Sequence, residues 1–114
     1  MFNNNIHYYL LYILRDGNTK NYKIGITKDL NKRLKGVQTG CPHELQIIKL
    51  WKHTQKQVIM KYERVLHRYY RKCGCQIETQ GEWFELSPAD IAFLSKPNTI
   101  AEQNDLIDQI LKMM

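Results

Sequence analysis

The sequence predicts a small α+β fold. A three-stranded, mostly antiparallel sheet is built around a central hairpin, flanked by helices and followed by further helices at the C-terminus. Three observations lead there. Two strand-like runs meet at Asp16-Gly17, a dipeptide suited to a turn. Apolar residues recur at helical spacing in 54–72 and again in 99–113. The segments follow the order ββα-β-α-β-αα rather than a run of strand–helix repeats. At 114 residues there is room for one domain, 1–114.

Residues 8–15 are apolar on both faces, which suits a central strand. The polar stretch to Asn21 forms the turn, and residues 22–27 return as the second strand. Thr27 can cap a helix through about Gln38, with Leu30, Leu34 and Val37 as its buried stripe. Thr39-Gly40-Cys41-Pro42 ends it, and residues 45–52 read as a third strand. The stretch 54–72 is the clearest helix, with Val58, Tyr62, Leu66 and Tyr69 along one side. GEWFEL, at 81–86, is strand-like. Ser87-Pro88 opens a short helix. The last helix, 99–113, sets Ile100, Ile107, Ile110 and Leu111 on a stripe expected to pack on the domain.

The net charge of +6 is unevenly spread. Residues 1–75 carry 15 Lys and Arg against 4 Asp and Glu; residues 76–114 carry 2 against 7. A basic field of that kind attracts polyanions, nucleic acid first, with salt-sensitive affinity. No apolar run is long enough to span a bilayer, and the start lacks a signal peptide's basic and apolar regions, so no membrane partner and an intracellular location are expected, in the cytoplasm or with DNA in a nucleoid or nucleus. An odd count of three cysteines agrees with that.

One residue is out of place. Lys23 stands in an apolar strand, two residues before Gly25. Pairing Arg15 with Tyr22 sets Tyr12 opposite Gly25 and Leu14 opposite Lys23, all on one face of the sheet. Lys23 is then a diagonal neighbour of Tyr12, and Gly25 leaves open space for a backbone phosphate. An ammonium beside a phenol lowers its pKa from about 10, toward that of a general base. The alternative is a core aromatic beside a lysine that snorkels to water.

LYI at 11–13, KIG at 23–25, Arg33 eight residues on, Glu63 in YERVLH and the closing GEWF together resemble the GIY-YIG endonuclease superfamily. They are similar to a branch of phages and large DNA viruses with KIG in place of YIG. The resemblance covers residues 8–86 as a nuclease core and leaves 87–114 as a C-terminal helical extension. It implies hydrolysis of a DNA phosphodiester by water, with one Mg²⁺ or Mn²⁺ and no covalent intermediate. By that resemblance Glu63 is the single protein ligand to the metal, as suits a hard cation that keeps most of its waters. Arg33 holds the scissile phosphate and stabilises the transition state. Tyr12 activates the attacking water, and Lys23, in the place of the second tyrosine of the superfamily's name, lowers the pKa of Tyr12 or relays its proton. Read from the helix alone, Glu63 is instead a solvated carboxylate pairing with His67 one turn on.

Tyr22, Gly25, His43 and His67 are candidates for supporting roles. Val37 stands where many members carry a histidine, and Trp83 about where a polar residue, often Asn, is expected. These departures keep a second reading open, a catalytically silent nucleic-acid-binding module of the same fold. Lys20, Lys28, Lys32, Lys35, Arg64, Arg68 and Arg71 are candidates for backbone contacts on DNA, with RNA an open alternative. No base-reading motif is evident, so a partner protein would have to supply any targeting, and the chain is expected as a monomer or weak homodimer. Cys41, His43, Cys73 and Cys75 offer four zinc-type donors, but the spacings are tighter than a Cys-x-x-Cys knuckle and free thiols are expected.

Overall fold

The computed structural model describes residues 7–77 and 81–114. Strands β1 (Tyr9–Asp16) and β2 (Asn21–Thr27) form the hairpin; α1 (Leu30–Thr39), β3 (Leu45–His53) and α2 (Lys56–Lys72) follow. Then come β4 (Trp83–Glu85), α3 (Pro88–Leu94) and α4 (Ile100–Met113). The sheet order is β3-β1-β2-β4 and every pair is antiparallel. Four strands therefore replace the expected three. The GEWFEL segment contributes the fourth, because Trp83–Glu85 hydrogen-bonds along the outer edge of β2 as far as Lys23.

The hairpin register is Tyr12↔Gly25, Leu14↔Lys23 and Arg15↔Tyr22, as the sequence suggests. Alternation then sorts the strands into two faces. On one, Leu11, Ile13, Tyr22, Ile24, Trp51 and Phe84 pack with Ile59, Tyr62, Leu66 and Tyr70 of α2. Leu94 of α3 and Leu106, Ile107 and Ile110 of α4 close the same core. The terminal helices are tied in by polar bonds as well. The Trp51 indole N–H donates to the Leu94 carbonyl at 3.3 Å, and the Tyr62 hydroxyl donates to Asn104. The stripe on α4 differs from expectation, since Ile100 and Leu111 are exposed while Gln103 and Leu106 are buried.

The second face carries Tyr12, Leu14, Lys23 and Gly25, and α1 leans over it. Val37 and Gly40 share a recess with Asp16, Lys23 and Trp83, and Leu34 shares another with Leu45 and Ile47. Leu30, Leu34 and Val37 are half-buried there, the expected stripe. The cap of α1 is Asp29 rather than Thr27. The Asp29 carboxylate accepts from the Lys32 N–H at 3.1 Å, while the Thr27 hydroxyl accepts from the Asp29 N–H and shapes the approach. Downstream, Ser87 and Asp90 form a capping box on α3 with Pro88 at its first position. Thr99 caps α4.

Candidate active site

Tyr12 projects from the middle of β1 on the face that α1 covers. Its side chain is fully buried, and the phenol lies across β2 at Gly25. A Cβ at residue 25 would stand 2.9 Å from Tyr12 Cε1 and nearer still to Cζ and Oη. The space above Gly25, expected to be open for a phosphate, is therefore filled by the phenol. The ring points toward the outer edge of β2, and its hydroxyl is buried with no hydrogen-bond partner among the described residues.

That edge is where α2 arrives. Beyond Lys23 the outer edge of β2 has no strand beside it among the described residues, and the Ile24 carbonyl is taken by a side chain instead. His67 of α2 donates its Nε2–H to that carbonyl at 2.6 Å and rests against Phe84. Glu63 lies one turn earlier on the same face of α2 and is half-buried beside the same edge. The two residues do not form the surface pair that helix spacing suggested, because the histidine is spent on the backbone of β2. Arg71, a further turn on, completes the stripe and donates to the Gly81 carbonyl at 3.2 Å.

The charges around the phenol agree with this placement. Burial pushes the Tyr12 pKa up to about 12, with Arg33 pulling it down and Glu82 and Glu63 adding to the rise. This reverses the expected depression. Lys23 is not among the charges that act on the phenol, and its ammonium is 2.9 Å from Glu82 Oε2. Burial and the neighbouring Glu82 raise the Glu63 carboxyl above its ordinary range, against the pull of Lys23, Arg33 and Arg71. Arg33, Glu63 and Glu82 thus act on Tyr12, and Lys23 joins the same site through Glu63 and Glu82. Glu82 and Arg71 join it through spatial contacts. The three-residue β4 shows no periodicity to reveal the first, and only the i, i+4, i+8 spacing of 63, 67 and 71 hints at the second.

Other candidates fall elsewhere. Tyr22 is on the opposite face, buried in the core with the Arg15 guanidinium 5.6 Å from its ring centre. His43 packs against the hairpin turn, its Nδ1 3.3 Å from Asp16. Lys28 and Lys32 share a shallow groove with Arg33 at the start of α1. Lys35 borders the recess of Leu34 and Ile47, and Arg64 and Arg68 are exposed on α2. Lys20 sits at the far end of the hairpin beside Cys75 and Ser87. Cys41 shares the Lys23 recess, remote from Cys75 by its lining residues.

The donor set suits a hard, largely hydrated cation. Among the described residues no three His, Cys, Asp or Glu side chains converge as a cage. Glu63 and Glu82 both offer half-buried carboxylates within electrostatic reach of the orphaned phenol oxygen, and of the two Glu82 is already paired with Lys23. One carboxylate with waters and a substrate phosphate is how Mg²⁺ is commonly held.

Residues 7–98 match the T5orf172 domain, most of the chain. This protein belongs to the T5orf172 domain family. Membership points to a phage-related nuclease or nucleic-acid-binding module. Among curated proteins and solved structures, none matches significantly. The T5orf172 match takes in all four strands, α1, α2 and α3, and so every residue of the site just described. No helix among the described residues is long and apolar enough to cross a membrane.

His67 allows a direct check on how the site is held. Burial lowers its pKa from 6.5 against the opposing backbone bond to Ile24, so the folded protein keeps it neutral. A depressed histidine contributes stability that is full above the unfolded value and is lost as pH falls below it. Thermal melts of wild type and His67→Gln are expected to differ most above pH 7, with the gap narrowing as pH falls below about 6.5. A constant gap from pH 5 to 8 would exclude the buried neutral ring.

Proposed function

We propose that this protein is a metal-dependent endonuclease that hydrolyses DNA phosphodiester bonds. The observation that carries the reading is the buried, unpartnered Tyr12 hydroxyl aimed at the β2 edge where Glu63 arrives, within the electrostatic reach of Arg33. An orphaned buried polar atom costs stability, and such groups persist where function needs them.

Glu63 would hold a Mg²⁺ or Mn²⁺ ion, which when bound supplies positive charge against the scissile phosphate. Arg33 is exposed at the mouth of the site and free to donate to phosphate oxygens as charge builds in the transition state. Tyr12 would accept the proton of the attacking water as its phenolate, having first released its own proton to solvent, and Arg33 is the charge already in place that draws its pKa down. Lys32 and Arg33 of α1 and Lys28 just before it share a groove and would guide the DNA backbone past Tyr12.

Cleavage of supercoiled plasmid and labelled single-stranded DNA with Mg²⁺, Mn²⁺ or EDTA tests this, with Glu63→Ala and Glu63→Gln alongside. Metal-dependent cutting that both variants lose is the expected result. Because burial and Glu82 raise the pKa of Glu63, its ionised form costs stability once pH rises above 4.5 and through the folded value. Glu63→Gln is therefore expected to melt at or above the wild-type temperature at pH 7, which separates lost chemistry from lost fold. The second reading is a silent nucleic-acid-binding module, favoured by the high pKa of Tyr12. Salt-sensitive DNA binding without cutting would select it.

A further inference from the structure

We propose that Glu82 is a positioning residue, whose carboxylate 2.9 Å from the Lys23 ammonium fixes that lysine as a cation of the Tyr12–Glu63 site. The proposal rests on the nuclease reading and names a residue that the chemistry above leaves unused. Lys23 rises from the middle of β2, and its side chain is only 14% exposed. An ammonium withdrawn from water that far needs a fixed counter-charge. Among the described residues Glu82 is the one carboxylate within ion-pair distance of it.

The backbone places Glu82 for this task. Its carbonyl accepts the Ile24 N–H at 3.1 Å, and the next residue, Trp83, is the strand partner of Lys23. The Trp83 ring lies 5.6 Å from Nζ and limits where the lysine can swing. Lys23 thus has a carboxylate on one side and an indole on another. Glu63 and His67 of α2 and Cys41 after α1 are near enough to feel its charge, and Asp16 shares its recess. Without Glu82 the ammonium would be free to wander among them. The Glu82 side chain is 43% exposed, so the pair contributes little to stability and the variants should fold.

Kinetics of Glu82→Gln, Lys23→Met and the double variant on labelled DNA, together with NMR relaxation of the Lys23 side chain in metal-free protein, test the proposal. Glu82→Gln is expected to lower kcat on the order of 10²-fold with KM no higher, since misplacement and not binding is lost. The double variant should be no slower than Lys23→Met alone, and Glu82→Asp should recover part of the rate. In Glu82→Gln the Lys23 side chain should become more mobile, because its ammonium loses the fixed carboxylate. A double variant that multiplies the two losses, or a lysine equally ordered in wild type and Glu82→Gln, overturns the proposal. A wild type that cuts no substrate, with the lysine loosened in Glu82→Gln, instead overturns the nuclease reading and leaves the Lys23–Glu82 pairing supported.

Discussion

Tyr12→Phe is expected to melt about 3–5 °C higher than wild type and to cut DNA at least 10²-fold more slowly. Both effects come from one oxygen. The hydroxyl is buried without a hydrogen-bond partner, and leaving such a group unsatisfied typically costs about 1–3 kcal/mol. Phenylalanine keeps the ring that covers Gly25 and removes only the orphan, so part of that cost should return as stability. Rate should move the other way, because general-base catalysis contributes roughly 10²–10⁴-fold where it operates. DNA binding should survive, since Arg33, Lys28 and Lys32 are untouched. Calorimetry beside a cleavage assay decides it. A variant that melts higher and still cuts at the wild-type rate would remove the phenol from the chemistry and leave the hydroxyl unexplained.

The pH dependence carries the same sign. A tyrosine with a folded pKa near 12 retains its proton where the unfolded chain has lost it, so wild-type stability should fall as pH rises from about 10 toward 12. That part of the alkaline decline should be missing from Tyr12→Phe.

How far the sequence discloses this site depends on the range of the interactions that build it. The hairpin register was legible because one turn and strand alternation determine it, and Tyr12, Gly25 and Lys23 share a face in consequence. Depth was not legible. The sequence left Tyr12 open between a site phenol activated by Lys23 and a core aromatic beside a snorkelling lysine, whereas the fold buries the phenol and sets Glu82, just before β4, against the lysine. The direction of the Tyr12 shift was misjudged for that reason. Helix spacing set Glu63 and His67 one turn apart, yet the partner of the histidine is the Ile24 carbonyl, on a strand far away in sequence. The α1 cap turned on a local competition between Thr27 and Asp29, both good capping residues. GEWFEL reads as strand-like, but so short a strand does not reveal where it pairs, so its place on the edge of β2 and the approach of Glu82 to Lys23 emerge only in three dimensions.

Gly25→Ala is expected to destabilise the fold by about 2–3 kcal/mol, roughly 10 °C in Tm, although strand propensity points the other way. Gly25 has no positive φ, so alanine meets no backbone penalty and by itself should gain about 0.4–1 kcal/mol from a stiffer unfolded chain. The obstacle is Tyr12. An added Cβ would overlap Cζ and Oη and stand 2.9 Å from Cε1, and a fully buried ring has nowhere to retreat without displacing its cover. Overpacking of this kind commonly costs 1–3 kcal/mol or more. A double-mutant cycle isolates the cause. In a Tyr12→Ala background the same Gly25→Ala change should be neutral or slightly stabilising, a coupling of about 2–3 kcal/mol between the two sites. If glycine is there instead to admit a phosphate, Gly25→Ala would raise KM for DNA, leave Tm alone and show no coupling to Tyr12. The two outcomes do not overlap, because one is read in protein without DNA and the other only with it.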